Sequence, residues 1–475
     1  LSACGAAATP QVIKETTVVK ETQVVKETVE SVVTATVAPT APPEPAVMDV
    51  WFNTDIPDLT TAEWTNDQNS DIFKKQWYWG GLARVMFRPW LEKHPGVTMK
   101  ISTHSWDSDL RQNQLMALAS GLIPDTTYGE AYVNEFVQLG VYNTVSDDKA
   151  ALFAEGSTRG STKDGKHYGL PKSSGADALF INLTLWEKAG LDKTKLPATW
   201  DDLVKAAQAI SKVNRSDKWG NTAYYTYGPG GSSYGQAMRI LHWFNQNNAP
   251  LGSDLGEPSA NVAGAADTWV FHNELMWTST ENLINQAEGE GGSGKLFNDG
   301  VIALKPGWNN DATSVGEGNV DGTAIPFPTP PGGKPATIVI GNDVHSPLLH
   351  GPNPDLAVNL IEETVPSPDA QAFLANNCGI WIPALKSLLE QHETYDKLDG
   401  YKTDTAKKIV RTTMSILLDG GAGPLPGWSK NGSNIWTEWN DVYGRIWKGK
   451  LSKDDIQKEL DTLQKDFQGF VAKTG

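Results

Sequence analysis

The first 50 residues contain no Phe, Trp or Tyr, and all 18 tryptophans of the chain lie at or beyond Trp51. A folded core is filled with large apolar side chains, so the leading stretch cannot build one and the rest of the chain must. Residues 12–29 repeat with a six-residue period: Val12-Ile13-Lys14-Glu15-Thr16-Thr17, Val18-Val19-Lys20-Glu21-Thr22-Gln23, Val24-Val25-Lys26-Glu27-Thr28-Val29. That period matches neither helix nor strand. The Thr/Val/Ala/Pro run after it ends in Pro39, Pro42, Pro43 and Pro45, which favour extended backbone. Residues 1–46 therefore read as a flexible, solvated tether, and the working domain as starting near Val47.

At the head of the tether stands Leu1-Ser2-Ala3-Cys4-Gly5. Small residues before a cysteine are the consensus around the cleavage site of a bacterial lipoprotein signal peptide, whose cysteine thiol takes a diacylglycerol. Cys4 is expected to carry the lipid and Leu1 to be the surviving end of the signal. The protein would then sit outside the cytoplasm, lipid-anchored to the bacterial cell membrane. No later apolar stretch approaches the ~18 residues that spanning requires.

About 430 residues follow the tether, more than one core usually holds, so two domains are expected. The formal charge is −16, from 40 basic and 56 acidic residues, with no basic run. This balance argues against nucleic acid and anionic membrane surfaces as partners. Apart from Cys4 the only cysteine is Cys378. No intramolecular disulfide or Cys-type zinc site is available, and Cys378 reads as a buried apolar residue. The eight histidines lack metal-ligand spacing, so neither a metal nor another cofactor is expected. The tryptophan count exceeds what ordinary core packing needs, and a flat apolar face with one N–H donor suits Trp to stacking on ligands.

Strand and helix signals alternate. Val47–Asn53 reads as the first strand, 77–93 as a helix (Leu82, Val85, Met86, Trp90) stopped at His94-Pro95-Gly96, Val97–Thr103 as a strand, and Asp109–Ser120 as a helix ended by Gly121. Thr199-Trp200-Asp201-Asp202 is a capping box before the stripe Leu203, Ala206, Ala207, Ile210. Ser452-Lys453-Asp454-Asp455 is a second, before Ile456, Leu460, Leu463 and Phe467. Alternation of this kind implies an α/β protein.

Two motifs suggest other chemistry. Gly289-Glu290-Gly291-Gly292-Ser293-Gly294 fits a phosphate loop, but helix-like residues precede it, strand-like residues follow it, and Leu296 stands where a hydroxyl should hold Mg²⁺. It reads as a surface loop. Gly231-Ser232-Ser233-Tyr234-Gly235 fits a nucleophile elbow, between a strand candidate (Ala223–Tyr227) and a helix candidate (Ala237–Phe244), with Asp343 and His345 downstream. A secreted serine hydrolase using Ser233 is thus the alternative. Asp343 and His345 lie too close in sequence for comfortable triad roles, and no Gly-rich oxyanion loop precedes them.

Several segments occur in an order that resembles the extracellular solute-binding protein family 1. These are the sugar-binding lipoproteins of ATP-binding-cassette (ABC) importers, typified by maltose-binding protein. The segments are Trp90-Leu91-Glu92-Lys93-His94-Pro95-Gly96-Val97, then Met116-Ala117-Leu118-Ala119-Ser120-Gly121-Leu122-Ile123-Pro124-Asp125, then Asp164-Gly165-Lys166-His167-Tyr168-Gly169-Leu170-Pro171. Next come Ala178-Leu179-Phe180-Ile181-Asn182, Trp186-Glu187-Lys188-Ala189-Gly190-Leu191 and Pro197-Ala198-Thr199-Trp200-Asp201. Phe297-Asn298-Asp299-Gly300-Val301-Ile302-Ala303-Leu304, Gly307-Trp308, Pro326 to Gly333, and Gly449-Lys450-Leu451-Ser452 complete the series. The chain departs from the family pattern at Leu183, where the family usually carries Lys or Arg. It also departs at the Trp-rich stretch Asp55–Trp79, which is longer than the family's usual first loop.

The resemblance implies an α/β, two-lobe, type II periplasmic-binding-protein-like fold with three crossovers, near Pro171, Pro326–Pro328 and Asn376–Gly379. Residues 47–171 and 328–376 would form the N-terminal lobe, and 172–327 and 377–475 the C-terminal lobe. It implies a monomer that binds a carbohydrate, an oligosaccharide by preference, and delivers it to the membrane permease subunits of an ABC transporter without catalysis. By the same resemblance Trp308 is the stacking ring, and Tyr128 and Glu130 line the cleft. Trp51, Asn53 and Asp55 leave the first strand at its carboxyl end, where open sheets bind ligands. Asn342 and Asp343 follow another strand-like run. Trp106, Trp381 and Trp428 are further aromatic candidates.

Overall fold

The computed structural model describes residues 45–130, 132–226, 237–252, 258–280, 293–317, 320–339, 342–419, 422–423 and 432–473. Leu1–Pro45 and Ala46–Gly475 are separate units. The strands and helices belong to the second, which already includes Ala46 of the expected tether, and Cys4 and the rest of residues 1–44 lie outside the described residues.

Eight strands carry the architecture: β1 (Ala46–Trp51), β2 (Val97–Ser102), β3 (Thr126–Gly129), β4 (Leu170–Pro171), β5 (Asp177–Asn182), β6 (Leu304–Trp308), β7 (Gly322–Ile325) and β8 (Val344–Pro347). One sheet has the order β2-β1-β3-β8-β4, and a second has β6-β5-β7. β1 runs parallel to β2 and β3, while β8 is antiparallel to β3 and β4. β5 is antiparallel to both neighbours and buried at every position, as a strand covered on both faces must be. The parallel strands are joined by helices α1 (Asp71–Lys93) and α2 (Asp107–Ser120), because a parallel connection must cross back over the sheet.

Helix α1 starts six residues before the apolar spacing does. Ser70 Oγ accepts from Phe73 N at 3.0 Å and caps it, and the helix is broken at Trp77, whose φ of 47° and ψ of −155° are not helical. The 3.6-residue periodicity begins only after this break, so the sequence located only the second piece. The capping box at Thr199 is complete: its Oγ1 accepts from Asp202 N and its own N–H donates to Asp202 Oδ2, both at 3.2 Å. At Ser452 half of the box forms, with Oγ accepting from Asp455 N at 3.2 Å.

The Gly-rich segment corrects one expectation. Ser293 and Gly294, the last residues of the expected loop, instead open the helix Ser293–Asn298, whose Leu296 and Phe297 are buried in the core; Gly289–Gly292 lie outside the described residues. So do Gly231–Gly235 with Ser233. In the strand candidate upstream of them, Tyr224 makes one parallel bridge to Leu304, and downstream a short turn of helix, Ala237–Ile240, leads into Leu241–Gln246.

Two large apolar clusters fill the interior. One gathers Met48, Val50, Phe87, Trp90 and Leu360 against the first sheet. The other gathers Phe180, Leu304, Trp269, Trp439 and Leu460 around the second. Cys378 is partly buried with its Sγ donating to Leu374 O at 3.0 Å, and burial pushes its thiol up to about 12. Among the described residues no helix is long and apolar enough to cross a membrane. Thr199→Ala should lower stability by about 1 kcal/mol while Thr199→Ser retains most of it, read from urea unfolding midpoints.

Candidate functional site

β1, β2, β3 and β4 point one way and β8 the other, with Val344 paired to both Gly129 and Pro171. The residues that follow the first four strands and precede β8 therefore collect along one edge, the carboxyl edge where open sheets bind ligands. Asn53, Asp55, His104, Trp106, Glu130, Lys172, Asn342 and Asp343 all stand on these segments.

Lys172 and Asp343 form an ion pair with 1% and 0% of their side chains exposed. Lys172 N donates to Asp343 O at 2.9 Å. The ammonium lies 5.0 Å from the ring centroid of Trp79, 5.1 Å from Phe52 and 5.3 Å from Tyr128, a three-sided cation–π cage. The Asn53 side chain and the Gly129 backbone also favour the ionised form of the Asp343 carboxyl. Burial holds the Lys172 ammonium down to about 8, with Asp343 opposing, and pushes the Asp343 carboxyl above its usual value, with Lys172 opposing.

Tyr128 spends its hydroxyl on the backbone, donating to Ser105 O at 2.7 Å and accepting from His104 N at 3.3 Å. Burial raises its phenol to about 12. It thereby shapes the loop that carries Trp106, whose partly exposed ring stacks 6.0 Å from Tyr128. Trp51 is buried and stacks on His104 at 3.6 Å. The pocket of about 10 Å³ behind Trp51, lined by Gln114, Leu118, Phe136 and Tyr142 among others, is too small for a solute. Asp55 Oδ1 accepts from Thr103 N at 2.9 Å, and Glu130 Oε1 from Asn342 N at 3.3 Å. Asn342 Nδ2 donates to Ser157 O at 2.8 Å, and its Oδ1 accepts from Ser174 Oγ at 3.1 Å.

Trp308 ends β6 on the second sheet, partly exposed, and packs against both apolar clusters. Its N–H donates to Asp311 Oδ2 at 3.2 Å, and the fully buried Lys305 pairs with the same oxygen at 3.2 Å. A Cβ at residue 307 would stand 2.9 Å from that oxygen, which is why glycine precedes the ring. Asn309 Nδ2 donates to Ile380 O and ties this loop to the one bearing Trp381. Trp381 lies 4.7 Å from Trp79 and 5.8 Å from Trp77. Its Nε1, and Oδ1 of Asn53, are buried without hydrogen-bond partners among the described residues. Trp428 lies outside the described residues.

Lys172, His104, Trp77 and Trp79 were not singled out from the sequence. The two tryptophans could have been, since they close the unusually long first loop. Lys172 carried no signal beyond its place next to Pro171. Among the described residues no group of His, Cys, Asp and Glu converges to hold a metal. Aromatic faces beside spare amide and indole groups suit noncovalent recognition of a solute with apolar faces and a polar rim.

The sequence profile described as bacterial extracellular solute-binding protein matches residues 70–375. A binding protein of Brucella abortus (strain 2308) is 32% identical over 133 residues, which is 27% of this chain and 31% of that one. The arabinooligosaccharide-binding protein of Halalkalibacterium halodurans is 29% identical over 136 residues, 27% of this chain and 30% of that one. The chain thus spans about a third of the length of these relatives. The sugar-binding protein MalE from the phytopathogen Xanthomonas citri superimposes with a TM-score of 0.65 at 17% identity, covering 89% of this chain and 97% of that one, which establishes the two-lobe fold.

Lys172→Met should cost about 3–5 kcal/mol, because a buried carboxylate is left alone, and adding Asp343→Leu should recover most of the loss. Folded Lys172 binds fewer protons than unfolded lysine between pH 8 and 10.5, so its contribution to stability grows as pH rises through that window. Urea unfolding at stepped pH should show this rise in the wild type and not in the double variant.

Proposed function

The chain belongs to the bacterial extracellular solute-binding protein family, and on that premise we propose that it captures a carbohydrate, preferentially an oligosaccharide, by closure of its two lobes. It delivers the sugar to the permease subunits of an ABC importer, acts as a monomer, and is held at the membrane by a lipid on Cys4. No chemical step is involved. The observation that carries this reading is Trp308, a partly exposed ring on the second sheet that packs against both apolar clusters. From there a ring can cover the apolar face of a sugar while groups on the first sheet's carboxyl edge take its hydroxyls. The arabinooligosaccharide-binding and sugar-binding relatives support the same solute class.

The lobes take residues 47–171 with 328–376, and 172–327 with 377–475, in the simplest division. The bridges Thr199–Thr329 and Ala176–Val339 favour drawing the second crossover later, beyond Val339. Closure is driven by contacts made to both sides of the cleft at once. The hydrolase alternative has less support. Asp343 is engaged by Lys172, and the buried His345 is bonded through Nε2 to Thr126 Oγ1 at 2.9 Å.

Titration of the full chain with mono- and oligosaccharides, followed by tryptophan fluorescence and calorimetry, should give saturable binding for one sugar class. Trp308→Ala should weaken that binding at least ~tenfold. Silence of the wild type across the panel would remove carbohydrate as the solute.

A further inference from the structure

The long first loop is fastened to the fold at many points. Arg84 donates to Ala62 O at 3.2 Å and to Glu63 O and Gly80 O at 2.6 Å, and Arg88 donates to Ala62 O at 2.6 Å and Leu59 O at 3.2 Å. Trp64 lies on α1 where two glycines allow it: a Cβ on Gly80 would stand 2.9 Å from Trp64 Cδ1, and one on Gly81 2.7 Å from its Cη2. Asn66 Nδ2 donates to Asn377 Oδ1 at 3.0 Å, which links the loop to the segment leading into Trp381.

Trp64 carries the loop to Trp77. Trp64 Nε1 donates to Trp77 O at 2.8 Å, and Trp77 adopts a positive-φ backbone that residues with a side chain rarely take. Its partly exposed ring meets Trp381 edge-on, 5.8 Å away at 70°, and Trp79 at 6.3 Å and 66°. Trp381 is nine-tenths buried, yet its indole N–H has no acceptor among the described residues. Buried donors are almost always satisfied. The indoles of Trp186, Trp243 and Trp269 are also buried without acceptors among the described residues, but only Trp381 stands beside a partly exposed ring on a positive-φ backbone, that of Trp77.

We propose that Trp77 and Trp381 form an outlying sugar subsite of the cleft, created by the long first loop. Trp77 covers the apolar face of a second sugar unit, and the Trp381 N–H donates to one of its hydroxyls. That N–H is now out of solvent, so Trp77 shifts to admit the hydroxyl, and the strained backbone is where such a shift is easiest. The subsite rests on the carbohydrate reading and adds that the ligand has more than one ring, because Trp308 and Trp77 are platforms on different elements.

The test is calorimetric titration of the full chain with gluco- and arabino-oligosaccharide series that start from the monosaccharide. Trp77→Gly removes the ring and relieves the positive φ, so the fold is retained. Trp381→Phe keeps a ring and removes only the donor. Each variant should weaken the longer sugars by about tenfold and leave the shortest bound sugar unchanged. Unchanged affinity along the whole series, or a loss that includes the shortest sugar, overturns the subsite and leaves the receptor reading intact. A wild type silent to every sugar overturns both.

Discussion

Lys172 and Asp343 meet in the interior at two places where the chain passes between its sheets. Lys172 is the first residue after β4, on the way to β5, and Asp343 is the last before β8, on the way back. Their ion pair, the backbone bond between them, the Ser174–Asn342 hydrogen bond and the Ala176–Val339 bridge lie along the same two strands of chain. Two buried charges cost several kcal/mol each to dehydrate. Pairing offsets part of that cost, and the ring faces of Phe52, Trp79 and Tyr128 offset more. The cage explains why these rings stand where they do. Tyr128 in turn holds the backbone at 104–105 and so the approach to Trp106, so much of the carboxyl edge is shaped outward from this one pair.

The tryptophans divide sharply. Trp90, Trp243, Trp269, Trp436, Trp439 and Trp447 are almost wholly buried, and Trp90 satisfies its indole on Asn359 Oδ1 at 2.8 Å. Core packing therefore uses more of them than the sequence suggested. Trp77, Trp106 and Trp308 remain partly exposed near strand ends or at a helix break, as do Trp64 in the first loop and Trp277 within the helix Ala265–Ser279.

Where the determinants are local, the sequence was legible. Thr199 and Asp202 are three residues apart, so their capping box could be read directly, as could the stripe on the helix behind it and the stop of α2 at Gly121. The first half of α1 was missed because Asp71–Gln76 carries little apolar periodicity and is held by the Ser70 cap and by the loop packed against it. Of the Gly-rich run read as a loop only Ser293 and Gly294 are described, and they open a helix docked by the buried Leu296 and Phe297. At the edge of the first sheet, Asn53, Asp55, Glu130 and Asp343 could be named because ligand groups of open sheets follow strand ends.

By itself the sequence determined the alternation of strands and helices and the ordered motifs of the family, because each depends on residues close together in the chain. Tertiary structure alone decided which aspartate finds which lysine, which rings close a cage, which indoles are left without an acceptor among the described residues, and which tryptophan reaches both apolar clusters. Those outcomes depend on strand order and on burial. Both are properties of the packed chain, in which residues remote in sequence lose water together and must satisfy one another.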